Sequence, residues 1–136
     1  MTPKREPRIR RPRAVVYRGT VLATADVMAA PEEVFRVVTT EADHGWADSG
    51  ITAEGAVMEI DPPRMIVQKL REGIEETTVT LSLAPISSGT RVTVRHEGFS
   101  GNRTLAEEYA QCWEKALIRI QSPQGGAHVQ SRQDHA

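Results

Sequence analysis

The stretch TLAEEYAQCWEKALIRIQ, residues 104–121, decides which fold the rest of the chain can adopt. Its apolar side chains recur at intervals of three and four residues, which is the spacing of one buried face on an α-helix. The members of this stripe are Leu105, Tyr109, Cys112, Trp113, Ala116, Leu117 and Ile120. Such a long amphipathic helix needs a large apolar surface to cover its stripe, so we expect the preceding strands to form a sheet against it.

Five segments before this helix have the alternating apolar pattern of strands, namely 20–29, 54–60, 65–71, 77–83 and 90–99. The last four follow one another at hairpin spacing, separated by turn residues such as Pro62 and Pro63. A short helix starts at Pro31 after the first strand and ends near Thr40, and a polar loop around Trp46 follows it. The sequence therefore predicts an α+β fold with an antiparallel sheet and a long C-terminal helix.

The composition is that of one domain with a basic amino-terminal segment. The length of 136 residues fits one domain, and the single cysteine fits a reducing compartment. Because the sequence has no apolar run of membrane-spanning length and no signal-peptide pattern, we expect a cytoplasmic protein without membrane insertion. Residues 1–18 carry seven cations and one anion, but no aromatic or glycine pattern suited to reading bases accompanies them, so nucleic-acid binding is not expected. We expect a basic disordered arm over 1–18, the domain over 19–121 and a disordered tail over 122–136.

Several segments occur in the order in which a known superfamily has them. They are APEEVF at 30–35, Trp46, GAVMEIDPPR at 55–64, TVTL at 78–81, GTRVTV at 89–94, HEGF at 96–99, and Trp113 with Leu117. Over about residues 20–121 the chain resembles the START/SRPBCC helix-grip superfamily, and most closely its branch similar to the activator of heat shock protein 90 ATPase. The resemblance implies a curved antiparallel sheet wrapped on the long C-terminal helix, with an apolar cavity between them. Members of the superfamily bind ligands, cyclise polyketides or regulate chaperones.

Two features depart from the pattern of that superfamily. Cys112 stands where a glycine usually precedes the helix tryptophan, and only residues 47–54 remain where another strand or two normally lie. We therefore expect a sheet that is about a strand short on that side. Either the cavity is more open there, or a second subunit covers the exposed edge in a homodimer.

Among the polar side chains, His96 has the pattern of a chemical site because it shares the predicted inner face of its strand with Val92 and Val94. It is interpreted either as a general base or polar contact at the cavity, with Tyr109 as a donor, or as a core histidine with its own partner. His44 lies among acidic residues without the spacing of a metal site, so we predict no metal and no cofactor. The residues predicted to line the cavity, or on the alternative interpretation only to fill the core, are Phe35, Trp46, Met58, Val94, His96, Tyr109, Trp113 and Leu117.

The sequence thus predicts non-catalytic binding of a hydrophobic small molecule between the sheet and the C-terminal helix. In that hypothesis Trp46 closes the mouth of the cavity, Tyr109 and Trp113 form its floor, and His96 supplies a polar contact. Two alternatives stay open. One is a polyketide cyclase/dehydratase-like enzyme that uses His96 and Tyr109, and the other is a protein-interaction module that regulates a chaperone through the outer sheet face and the basic arm.

Overall fold

The computed structural model describes residues 11–44, 46, 49–51 and 54–121, which contain two helices and six strands. In chain order the elements are β1 (Arg13–Tyr17), β2 (Thr20–Val27), α1 (Pro31–Asp43), β3 (Glu54–Asp61), β4 (Met65–Glu72), β5 (Glu75–Ile86), β6 (Gly89–Glu97) and α2 (Arg103–Gln121). The predicted α+β class is confirmed, together with the long C-terminal helix and the succession of hairpins from β3 to β6.

All six strands form one curved, open antiparallel sheet in the order β1-β2-β6-β5-β4-β3. The alternating residues of β2, β5 and β6 that the sequence pattern assigned to the core face are buried, namely Val21, Ala23, Ala25, Val27, Thr77, Val79, Leu81, Leu83, Val92, Val94 and His96. This face packs against α2, because both surfaces are apolar and each removes the other from water. The helix-grip arrangement is therefore confirmed.

α2 buries the stripe that the sequence predicted for it. The buried residues on this helix are Ala106, Tyr109, Ala110, Trp113, Ala116, Leu117 and Ile120. The side chain of Asn102 caps the first turn, since its Oδ1 accepts a hydrogen bond from the backbone N–H of Leu105 at 3.1 Å. The preceding loop turns sharply at Ser100 and Gly101, which have φ values of +51° and +81°. This turn delivers the start of α2 to the end of the sheet near the β1–β2 connection.

The amino-terminal arm is shorter than predicted, because residues 13–17 form β1 instead of a disordered segment. The backbone of β1 pairs with β2 along its whole length. Ala14 and Val16 pack against the core, while the arginines at either end of β1 stay exposed, so the strand forms without desolvating charge. Residues 1–10 of the predicted arm and the predicted tail at 122–136 lie outside the described residues.

The short helix predicted after the first strand follows β2, since β1 precedes it. Pro31 begins α1, where its fixed φ suits the first helical position. The helix continues beyond the predicted end near Thr40 because the buried stripe of Val34 and Val38 extends one turn further to Ala42. α1 thereby reaches the region in which the loop tryptophan packs.

β3 forms the edge of the sheet opposite β1, and within the described ranges no strand pairs with its outer side. This edge lies on the side where the sequence predicted a shortened sheet. A β-bulge shifts the register between β3 and β4 at Val57 and Glu59. The residue inside the bulge, Met58, is 58% exposed, so it lies at the surface instead of on the predicted inner face.

Candidate functional site

Five rings pack together between the sheet and α2, and we call them the aromatic cluster. The centroid of the His96 ring lies 4.5 Å from Tyr109, 4.7 Å from Phe99 and 6.1 Å from Trp113. Trp46 meets Trp113 edge to face at 5.0 Å. Each of these side chains is at most 4% exposed. The structure therefore brings four predicted site residues together, but as a packed core that Phe99 completes.

His96 is held inside the cluster by two hydrogen bonds. The indole Nε1–H of Trp113 donates to His96 Nδ1 at 3.0 Å, so Nδ1 carries no proton. Nε2 is therefore the protonated nitrogen, and it donates to Thr77 Oγ1 at 2.7 Å. Burial lowers the pKa of His96 from 6.5 to about 3, because the interior solvates the imidazolium poorly. Of the two interpretations, this geometry favours the neutral core histidine.

Trp46 lies beneath the surface and not at the mouth of a cavity. Its side chain is fully buried, and its Nε1–H donates to Gln68 Oε1 at 3.1 Å. The Nε2 of Gln68 donates in turn to the backbone carbonyl oxygen of Ala42 at 3.3 Å. These bonds satisfy a buried amide on β4 and tie it to both α1 and the loop after α1. Trp46 thus fastens this loop to the sheet.

A small cleft of about 100 Å³ opens beside Tyr109 and is named here the Cys112 cleft. The hydroxyl of Tyr109 donates to Glu72 Oε1 at 2.8 Å. Burial raises the pKa of Tyr109, and the Glu72 carboxylate raises it further; burial also raises the pKa of the Cys112 thiol. Neither Tyr109 nor Cys112 ionises near neutral pH, so neither side chain is suited to act as a nucleophile or base in this cleft. The residues that line the cleft are Gly50, Ile51, Glu72, Leu105, Glu108, Tyr109 and Cys112.

The remaining predicted lining residues lie apart from the aromatic cluster or serve the core. Val94 and Leu117 are fully buried between the sheet and α2. Phe35 is partly buried and packs against the core from α1. Met58 lies on the edge strand and outside this core.

A second, larger cleft of about 290 Å³ lies where the β1–β2 turn meets the start of α2, and we call it the hairpin cleft. The apolar floor of the cleft consists of Val16, which is half-buried, and of Phe99 and Ala106, which are at most 2% exposed and lie beneath the surface. Arg18 and Arg103 are exposed at its rim. Its volume is at the lower end of the range for small-molecule sites, which suits a compact ligand. The lining residues are Val16, Arg18, Gly19, Phe99, Gly101, Asn102, Arg103 and Ala106.

None of these eight residues is among the side chains that the sequence predicted for the cavity. The cleft is formed by two segments, 16–19 and 99–106, that are distant in sequence and meet only in the fold. One local signal was available, because the stretch RAVVY at 13–17 has the β-branched content of a strand. If β1 had been predicted from this stretch, the position of the β1–β2 turn at the end of the sheet beside α2 could also have been predicted.

Among the described residues, no group of three or more His, Cys, Asp or Glu side chains is arranged to hold a metal ion. His44 follows the end of α1, with its Nδ1 2.9 Å from the carbonyl oxygen of Thr40. Neither helix in this part of the chain is long and apolar enough to cross a membrane.

Solved structures share this architecture at low sequence identity. An HSP90 activator from Plasmodium falciparum is 19% identical, with 78% of this chain and 96% of that chain covered and a TM-score of 0.61. The Aha1 dimer from Colwellia psychrerythraea is 13% identical, with 75% and 92% covered and a TM-score of 0.63. A protein in the dynemicin biosynthetic locus is 13% identical, with 77% and 46% covered and a TM-score of 0.64. These likenesses establish the fold.

Sequence comparison establishes the family. No curated protein matches the chain. The family model described as Activator of Hsp90 ATPase homolog 1-like protein matches residues 22–122, a range that runs from β2 through the end of α2. This range holds the whole helix-grip core, including the aromatic cluster. The chain therefore belongs to the family of Activator of Hsp90 ATPase homolog 1-like proteins.

Proposed function

We propose that this protein binds a small hydrophobic molecule, without catalysing a reaction, in the hairpin cleft between the sheet and α2. The observation that carries the proposal is a cleft of about 290 Å³ with an apolar floor, in which Val16 is half-buried and Phe99 and Ala106 lie beneath the surface. Ligand sites combine such an apolar floor with a few polar groups that fix orientation. Here the polar groups lie at the rim.

The contacts of His96 and Tyr109 argue against the cyclase-like alternative. Both ring nitrogens of His96 already have partners inside the core, and its low pKa keeps it neutral at physiological pH. The Tyr109 hydroxyl donates to Glu72 instead of to a free space. A general acid or base must reach the substrate within hydrogen-bond distance, which a histidine with no exposed surface does not do.

The test is native mass spectrometry of the protein purified from its source organism, before and after gentle organic extraction. A bound ligand adds a few hundred daltons that extraction removes. Val16→Trp fills the cleft and should abolish the adduct, whereas Val15→Trp should retain it. Val15 is the matched control because it is the next residue of β1, points to the opposite face and is 54% exposed. An adduct that survives Val16→Trp in a folded protein would place the ligand elsewhere, and no adduct in the wild type would refute the proposal.

A second candidate function is regulation of a chaperone, and the family match favours it. One similar structure is that of an HSP90 activator. The test measures the ATPase rate of an Hsp90-type chaperone with and without this protein, at low and high salt. If the basic segment contributes, deletion of residues 1–10 should weaken the effect, and high salt should do the same. The deletion stops at residue 10 because β1 begins at Arg13 and belongs to the sheet.

We also propose that the protein forms a homodimer through the β3 edge. The outer side of β3 has no strand partner among the described residues, and an Aha1 relative has been solved as a dimer. Sedimentation over a range of concentrations tests it. Replacing Ala56 with proline removes a backbone donor from the edge strand and should shift a dimer to monomer, while a wild-type monomer at all concentrations excludes the interface.

A further inference from the structure

The rim of the hairpin cleft carries positive charge. Arg18 and Arg103 both line the cleft, and no acidic residue is among the side chains that line it. The guanidinium carbon of Arg18 lies 5.3 Å from the centroid of the Tyr17 ring, and among the described residues no carboxylate lies within 4 Å of Arg18. Arg103 pairs with Glu107 at 3.3 Å, but both side chains are mostly exposed, so solvent weakens that pair. Within the described part of the chain, neither guanidinium group is held in a buried ion pair, so an anion in the cleft competes only with the Tyr17 ring for Arg18 and with the exposed Glu107 for Arg103.

The Cys112 cleft has the opposite character and provides an internal comparison. Two acidic side chains, Glu72 and Glu108, line it, and no cationic residue does. Its volume of about 100 Å³ is also about a third of that of the hairpin cleft. An apolar anion that enters this protein is therefore expected in the hairpin cleft and repelled from the Cys112 cleft.

We infer that the ligand of the hairpin cleft is a small apolar carboxylic acid, bound with its hydrocarbon or aromatic body on Val16, above Phe99 and Ala106, and its carboxylate at Arg18 and Arg103. This inference rests on the proposed function and names the ligand class for the same site. A guanidinium group matches a carboxylate in a planar, two-pronged hydrogen bond, which a neutral alcohol does not reproduce. A free inorganic anion has no apolar part to cover the exposed side of Val16, so an apolar acid gains affinity that such an anion lacks.

Two probes with the same phenylethyl body separate the contribution of the carboxylate from that of the apolar part. They are 3-phenylpropionate and 3-phenylpropan-1-ol, titrated to about 10 mM while the backbone amide resonances of Phe99 and Ala106 are followed by NMR. The acid should bind roughly tenfold or more tightly than the alcohol, as expected for a charge-assisted hydrogen bond. Arg18→Asn and Arg103→Gln should each lower the affinity for the acid by roughly tenfold and leave the affinity for the alcohol unchanged. The matched control, Arg64→Gln, removes an exposed arginine that does not line the cleft and should change neither.

The choice of Arg18→Asn avoids a folding artefact. Arg18 has a φ of +53°, and asparagine adopts this left-handed conformation readily, so the substitution removes charge without new backbone strain. Equal affinity for the acid and the alcohol would overturn the inference and leave the proposed function standing. If neither probe shifts the amide resonances of the cleft, both the inference and the proposed function are overturned. Binding of the acid with shifts confined to other surfaces would overturn the inference as well.

Discussion

Lowering the pH from 7 to 5 should destabilise this protein by about 2 kcal/mol through His96 alone. In the unfolded chain the imidazole has its ordinary pKa of 6.5, whereas burial lowers the folded pKa of His96 to about 3. Between these values the unfolded state binds one more proton, so the free energy of unfolding falls by about 1.4 kcal/mol per pH unit. This contribution is fully present above pH 6.5 and is lost progressively as the pH falls towards 3.

Urea denaturation at pH 7 and pH 5 measures this loss when the wild type is compared with His96→Gln. The substitution removes the titrating group, so the free energy of unfolding of His96→Gln should fall by about 2 kcal/mol less than that of the wild type between pH 7 and pH 5. Carboxylates that titrate near pH 5 contribute to both proteins and cancel in the difference. His44→Gln is the matched control, because His44 is exposed beyond the end of α1 and should retain the wild-type response.

An equal loss in the wild type and His96→Gln would refute the assignment of His96 as a buried neutral histidine. NMR of the imidazole nitrogens gives an independent check on the same proteins. The proton should stay on Nε2, as required by the donation from Trp113 to Nδ1, and the ring should not titrate between pH 8 and pH 5. A ring that titrates near its ordinary pKa would contradict both the tautomer and the predicted loss of stability.

Two further changes test the packing around the sheet, each by urea denaturation. Thr77→Val removes the hydrogen-bond acceptor of the buried imidazole and should lower the free energy of unfolding by about 1–3 kcal/mol. Thr78→Val, on the opposite face of β5, is the control and should change it by no more than about 0.5 kcal/mol. Equal effects of the two substitutions would contradict the hydrogen bond. Gly89→Ala places a Cβ against the carbonyl oxygen of Val27 and should lower the free energy of unfolding by about 3 kcal/mol. The Cβ of Gly73→Ala meets open space, so this substitution should lower it by only about 1 kcal/mol. Equal costs at the two glycines would contradict the close approach of these backbones.

The elements that could be predicted from the sequence are those whose burial repeats regularly along one segment. The stripe of α2 and the alternation of β5 and β6 are such patterns, because one helix face or one sheet face meets the core along the whole element. β1 was not predicted because it is short and lies between arginines. A stretch of this composition resembles a solvated tail when only its own sequence is considered. Its four consecutive apolar residues become a strand only because β2 pairs with them.

The candidate site was less predictable because it depends on contacts between distant segments. The inner face of β3 was predicted from the alternation of Ala56, Met58 and Ile60, but all three are exposed, and Val57 is the residue of this strand that packs against the core. His96 was correctly placed on the inner face, yet its partners Thr77 and Trp113 come from another strand and from α2. Periodicity reveals which face a residue occupies, whereas hydrogen-bond partners and clefts depend on the assembled fold.

The two edges of the sheet differ in a way that separates ligand binding from self-association. At β1, the backbone N–H of Ala14 donates to Glu114 Oε2 on α2 at 3.0 Å, so this edge is tied to the helix and has part of its donor row satisfied. The same strand supplies Val16 to the hairpin cleft. β3 lies five strand spacings away, about 24 Å at ordinary strand separation. A partner that pairs with β3 would therefore leave the hairpin cleft open, and a ligand in the cleft would leave the β3 edge free.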